Sequence, residues 1–127
     1  MHCKSYLQVN SYDKNEITIV EITGRLDAGS APGLKAKLVE MCRNQINFVF
    51  DLSKMDSIDS TGLGCIITCR NVVAKSNGSV KLACPQLKPK MVFEITRAHK
   101  IFDIFDDLDA AIESFQIAAA TSSTSGV

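Results

Sequence analysis

Nine consecutive residues, Asp56-Ser57-Ile58-Asp59-Ser60-Thr61-Gly62-Leu63-Gly64, gather carboxylates, hydroxyls and glycines between an apolar run and a helical pattern. The chemistry available at such a joint is that of a helix start. The first N–H groups of a helix lack intrahelical acceptors and carry partial positive charge, so an anion is favoured there. Ser60 or Thr61 can accept a phosphoryl group, which adds about −1.5 to −2 charges and new acceptor oxygens beside those donors. Gly62 and Gly64 remove side chains around the hydroxyls, opening the backbone to close approach by another protein. The plainer reading makes Ser60 an N-cap and leaves the glycines to relieve crowding. A nucleotide-binding phosphate loop needs a Lys directly after its last Gly, and here Cys65 follows Gly64, which disfavours it.

Other chemistry-bearing side chains form weaker patterns. The five cysteines stand at 3, 42, 65, 69 and 84, with neither a Cys-x-x-Cys pair nor zinc-finger spacing. Cys65 and Cys69 are one helical turn apart and share a face, which admits a metal or redox idea, but the two histidines, His2 and His99, are poor additional ligands. Small buried hydrophobes are the expected role of these cysteines, with no metal and no cofactor. A hydrolase built on Asp59 and Ser60 needs a general base and an oxyanion hole, and neither histidine lies in a segment that reaches Ser60. The chain is therefore not expected to be an enzyme.

The elements that must position the joint follow from periodicity. Ile17 to Ile22 alternates β-branched and polar residues and Gly24 closes it, as in a strand with one buried face; Tyr6 to Val9 is expected to pair with it across Asn10 to Asn15. Ser30 offers an N-cap, Pro32 falls in a first turn, and Leu34, Leu38 and Met41 recur at helical spacing. Ile46 to Leu52, with Phe48, Val49 and Phe50 in a row, suits a central strand covered on both faces. The helix expected over Thr61 to Lys75 has an apolar arc of roughly 220°, about twice the minimal stripe. Its excess is buried by a neighbouring helix, or leaves Leu63 and Ile67 partly exposed beside the hydroxyls as a partner-binding patch.

Asn77-Gly78 is a turn and Ser79 to Ala83 a short strand. Pro89 opens a helix to Thr96, with Met91, Val92 and Ile95 as core contacts. Phe102 to Phe105 is a last strand, and Asp106 or Asp107 caps a helix whose Leu108, Ala111, Ile112 and Phe115 share a face. Alternating strands and helices predict helices on a mainly parallel or mixed sheet, with an antiparallel pair at its start.

At 127 residues the chain fits one domain, expected over 1–116 with a flexible tail over 117–127. Lys plus Arg and Asp plus Glu both number 14, so no basic excess points to a nucleic-acid partner. Met1-His2-Cys3-Lys4-Ser5 lacks an apolar signal core and no stretch approaches the ~18 residues of a membrane span, which predicts a cytoplasmic protein without membrane attachment.

Over residues 5 to 116 the chain resembles the STAS-domain anti-sigma factor antagonists. Gly24-Arg25-Leu26-Asp27 is similar to their Gly-x-Leu-Asp turn, Phe50-Asp51-Leu52 to the strand before their switch, and Asp59-Ser60-Thr61-Gly62-Leu63-Gly64 to their phosphorylation loop. The resemblance implies an α/β fold, a STAS-type mixed sheet of about four to five strands with about four helices packed on it. It makes Ser60 the phosphoacceptor, with Thr61 as fallback, and assigns Asp27 and Asp59 to positioning the loop and meeting a kinase. With Gly62, Leu63, Gly64 and Ile67 these residues form the expected partner surface. In that family the unphosphorylated protein binds an anti-sigma factor that is also a serine kinase, freeing sigma factor; phosphorylation ends the complex and a serine phosphatase resets it. ATP and magnesium belong to the kinase, and the free antagonist is expected to be a monomer. The alternative is a constitutive STAS docking subunit of a larger assembly, a scaffold or transporter accessory, without a phospho-switch.

Overall fold

A strand whose odd and even positions are both apolar must be covered on both sides, and the order of elements here provides that cover. The computed structural model describes residues 7–115. In chain order these form β1 (Leu7–Lys14), β2 (Ile17–Leu26), α1 (Ala31–Met41), β3 (Asn47–Ile58), α2 (Ser60–Ala74), β4 (Ser79–Ala83), α3 (Leu87–Ile95), a 3-10 turn (Ala98–Lys100) and β5 (Asp103–Phe105). Helical residues 108–115 follow as α4. The sheet order is β1-β2-β3-β4-β5, antiparallel between β1 and β2 and parallel thereafter. This is the mixed five-stranded sheet with four helices that the STAS-type resemblance implies. The expected tail, 117–127, lies outside the described residues, as do Tyr6 and His2.

Alternation sorts the side chains between two apolar clusters. Val20, Ile22, Phe48, Phe50, Val80 and Leu82 face one way and meet Leu34, Leu38, Ile66, Cys69 and Phe93 from α1, α2 and α3. Ile17, Ile19, Val49 and Ala83 face the other way and are covered by Ala111 and Ile112 of α4, with Leu108 and Phe115 at the edge. The shared face read from the sequence of α4 is thus the buried one. Asp107 is its cap, accepting from the Ala110 N–H at 2.7 Å.

Four expectations need correction. The segment 10–14 continues β1, and the hairpin turns on Asn15 and Glu16 alone, both left-handed at φ 56° and 66°, the two-residue geometry that matches strand twist. Its polar residues lie on an exposed edge strand and so carry no apolar alternation. β2 does not end at Gly24 but passes through it at φ 103°, in a stretch of irregular pairing with β3, and runs to Leu26. β3 likewise extends past Leu52 to Ile58, pairing Leu26 with Ile58. α3 is turned relative to expectation. Pro89 and Phe93 are buried and Val92 half-buried, while Met91 and Ile95 face solvent at 49% and 77% exposure. In a nine-residue helix one aromatic ring sets the rotation, and Phe93 is fully enclosed.

Candidate functional site at the ends of two parallel strands

The extra length of β2 and β3 carries their C-terminal ends side by side, the edge of a parallel sheet where loops converge into sites. The loop after β2 contains Asp27, and the residue after β3 is Asp59. Asp59 N–H donates to the Leu26 carbonyl at 3.1 Å, locking the two strand ends together.

Asp59, rather than Ser60, caps α2. It stands extended at φ −110° and ψ −176°, its Oδ1 accepting from the Gly62 N–H at 2.8 Å. Its Oδ2 accepts from the Ala28 N–H at 3.2 Å, so one carboxylate ties the α2 start to the β2–α1 loop. Ser60 and Thr61, the first two helical residues, are both exposed. Their own N–H groups open the helix and have no acceptor four residues earlier within it. With the cap supplied next door, the Ser60 hydroxyl is not needed for it.

Asp27 is held by its own loop. Its Oδ1 accepts from the N–H groups of Gly29 at 3.0 Å and Ser30 at 3.2 Å, while its N–H donates to Ser30 Oγ at 3.0 Å. Ser30 Oγ spends its single proton on the Arg25 carbonyl at 2.8 Å. Ser30 precedes α1 without making the side-chain cap bond expected of it; its hydroxyl latches the loop instead. The sequence Asp27-Ala28-Gly29-Ser30 carried the signal for this, since Asp before Gly and Ser favours a side-chain turn onto the backbone.

The two glycines have different jobs. A Cβ on Gly62 would lie 2.5 Å from the Leu26 carbonyl oxygen, so this residue is bare in order to let α2 press against β2, not to admit a partner. Gly64 has nothing within 4 Å of the corresponding point and is open. Leu63 is 5% exposed and packs in the main core; the expected patch beside the hydroxyl therefore has no exposed Leu63, and Ile67 is half-buried. The broad apolar arc of α2 is explained by burial against the sheet and α1.

A groove that sequence reasoning missed runs between α1 and α2. Near the site it is lined by Pro32, Lys35, Thr61, Gly64 and Thr68. It continues along the same helices past Lys35 and Thr68 to Val39, Cys42, Cys69 and Val72. Val39 and Val72 are about half exposed on its rims. Cys65 Sγ meets the Ala31 carbonyl at 3.8 Å, closing the floor. Only the continuous apolar arc of α2 hinted at such a seam. His99 has its Nδ1 3.3 Å from the Phe93 carbonyl, in the α3–β5 connection. Among the described residues no group of three or more His, Cys, Asp or Glu side chains is placed to hold a metal, and no helix is long and apolar enough to cross a membrane.

Comparison with known proteins agrees with this architecture. The anti-sigma-B factor antagonist of Bacillus subtilis (strain 168) is 35% identical over 92 residues, 72% of this chain and 84% of that one. The crystal structure of an anti-sigma factor antagonist from Mycobacterium paratuberculosis superposes with a TM-score of 0.80 at 19% identity, covering 86% of this chain and 93% of that one. The anti-sigma factor antagonist SpoIIAA in its unphosphorylated form gives 0.74 at 16% identity, covering 87% and 96%. The family model described as the STAS domain matches residues 8–111. The family model, matched over nearly the whole described length, and the Bacillus subtilis relative, covered to 84%, place the chain in the STAS domain family.

Proposed function

We propose that this protein is an anti-sigma factor antagonist switched by phosphorylation of Ser60. The observation that carries the reading is the division of labour at the start of α2: Asp59 caps the helix, which leaves the exposed Ser60 hydroxyl free beside unpaired helix N–H groups. A dianion on Ser60 is accommodated by those donors within the folded chain. The similarity to the Bacillus subtilis antagonist, which extends over 84% of that protein, supports the choice of partner class.

In this reading the unphosphorylated chain docks an anti-sigma factor that is also its serine kinase, and in doing so frees sigma factor. The docking surface comprises the Asp27 loop, the exposed residues Asp59, Ser60 and Thr61, the open position at Gly64 and the α1–α2 groove that leads away from Thr61, with Ile67 flanking. Asp27 and Asp59 act by fixing the loop. Phosphorylation puts a dianion at the centre of the contact, where desolvating it without a partner cation is costly. A cost of about 3 kcal/mol weakens binding more than a hundredfold, which suffices for a switch. A serine phosphatase restores the binding form. The chain contributes no catalysis, needs no cofactor and acts in the cytoplasm as a monomer.

The test is incubation with the cognate kinase and ATP, read by intact mass and fragment mapping, followed by capture of the kinase on phosphorylated and unphosphorylated protein. One phosphate at Ser60, absent from Ser60→Ala and accompanied by loss of capture, is expected. Undiminished capture with Ser60 unmodified would instead make the chain a constitutive docking subunit.

A further inference from the structure

Four of the five cysteines fall among the described residues, and two of these are neighbours. Cys42 ends α1 and is half-buried; Cys69 lies in the middle of α2 and is buried. Their sulfurs are 3.9 Å apart. A disulfide requires about 2.05 Å between sulfurs, so the pair must close by roughly 2 Å. Cys42 is the residue best placed to supply that movement, because the chain beyond α1 is a turn rather than helix. Next to both sulfurs is a cavity of about 80 Å³, walled by Leu38, Val39 and Val72, which gives side-chain room for the approach.

We propose that Cys42 and Cys69 are a modification site: a dithiol that a hydroperoxide converts to an intramolecular disulfide, stapling the end of α1 to the middle of α2. The Cys42 thiolate attacks the distal peroxide oxygen, the O–O bond breaks, and the alcohol, or water in the case of hydrogen peroxide, leaves after taking up a proton. Cys42 is then a sulfenic acid. The Cys69 sulfur, giving up its proton, attacks the Cys42 sulfur; the S–O bond breaks and water departs. Two thiols lose two electrons in all, and the peroxide gains them. Burial pushes both thiols above their ordinary pKa, so the reaction draws on a small thiolate population and proceeds slowly under excess peroxide. Cys65 lines the same cavity, but its thiol donates to the Ala31 carbonyl at 3.8 Å, and Cys84 packs with the α4 cluster on the opposite face of the sheet.

The experiment treats the reduced full-length chain with excess hydrogen peroxide, alkylates remaining thiols, and maps peptides without reduction. The expected product contains one linked pair of peptides bearing Cys42 and Cys69, about 2 Da lighter than the two free peptides together, and the pair separates with a dithiol reductant. Cys42→Ser and Cys69→Ala should each abolish the link, whereas Cys65→Ala and Cys84→Ala should leave it. Should Cys69→Ala fail to fold, Cys42→Ser at the half-buried helix end decides. A link through any other cysteine, over-oxidation of Cys42 without a link, or no linked pair overturns the proposal. Phosphate on Ser60 plays no part in this readout, so the outcome is independent of the proposed switch.

Discussion

Replacing each glycine of the site by Ala in turn should move stability in opposite directions, although the two positions lie two residues apart on one helix. At Gly62 the new methyl carbon would sit 2.5 Å from the Leu26 carbonyl oxygen and 2.7 Å from Leu26 Cγ. The first of these is backbone and cannot swing away, so α2 must lift from β2. Overpacking of this kind costs about 1–3 kcal/mol, from which the helix preference of Ala over Gly returns at most about 1. Lifting also strains the Asp59 N–H bond to the same Leu26 carbonyl, now 3.1 Å. The net expectation is a loss of about 1–2 kcal/mol. Gly64 has open space where its Cβ would go and lies inside the helix, so Gly64→Ala should gain about 0.5–1 kcal/mol from propensity alone. Urea denaturation with a common slope measures both, and thermal midpoints should separate by about 4 °C per kcal/mol. Equal shifts for the two variants, or a stabilised Gly62→Ala, would refute the argument that close packing on Leu26 dictates the first glycine.

Asp59→Ala should cost about 0.5–2 kcal/mol for the lost cap, and Asp59→Asn less, because an amide oxygen still accepts from Gly62 while its NH2 cannot accept from Ala28; urea midpoints distinguish them. The rotation of α3 predicts that Phe93→Ala, fully buried, loses about 3–5 kcal/mol while Ile95→Ala, mostly exposed, stays within about 0.5; the reverse order would restore the face expected from sequence. The buried thiols predict alkaline sensitivity. Burial raises Cys69 above its ordinary 9.0, and Cys42 and Cys65 are raised too, so above about pH 9 the unfolded chain gives up protons that the native chain keeps. Their contribution is fully present below that pH and falls as pH rises, by at most about 1.4 kcal/mol per pH unit for each thiol. Urea midpoints measured across this range should fall less steeply for Cys69→Ala than for the parent chain.

What was legible in the sequence was whatever packing enforces at a fixed period. Phe48, Val49 and Phe50 can only be a strand covered on both faces, and the two clusters divide them as alternation requires. The α4 face was equally plain, because its four apolar residues recur at helical spacing. Strand ends were not legible. β1 beyond Val9 is exposed and β3 beyond Leu52 buries only Met55 and Ile58, three residues apart, and their pairing is enforced by a two-residue turn and by irregular register, neither of which leaves a hydrophobic period of two. That gap matters most at the site, since those extra turns of pairing bring Asp27 and Asp59 to one edge. The site's residues could be found from Asp59 to Gly64 as a string, but their roles could not be assigned from it. A string does not say which of two adjacent polar residues caps a helix; the backbone does, by holding Asp59 extended and Ser60 helical. Nor does it say why a glycine is bare. Gly62 faces a carbonyl contributed by a strand more than thirty residues earlier, a contact set by the parallel crossover and invisible to any local pattern. The same holds for the α1–α2 groove, whose two walls are separated by the whole of β3. The hydroxyl that sequence reasoning made a candidate acceptor is thus freed by long-range structure: two parallel strand ends, joined through Leu26 and Asp59, take over the work that Ser60 would otherwise do.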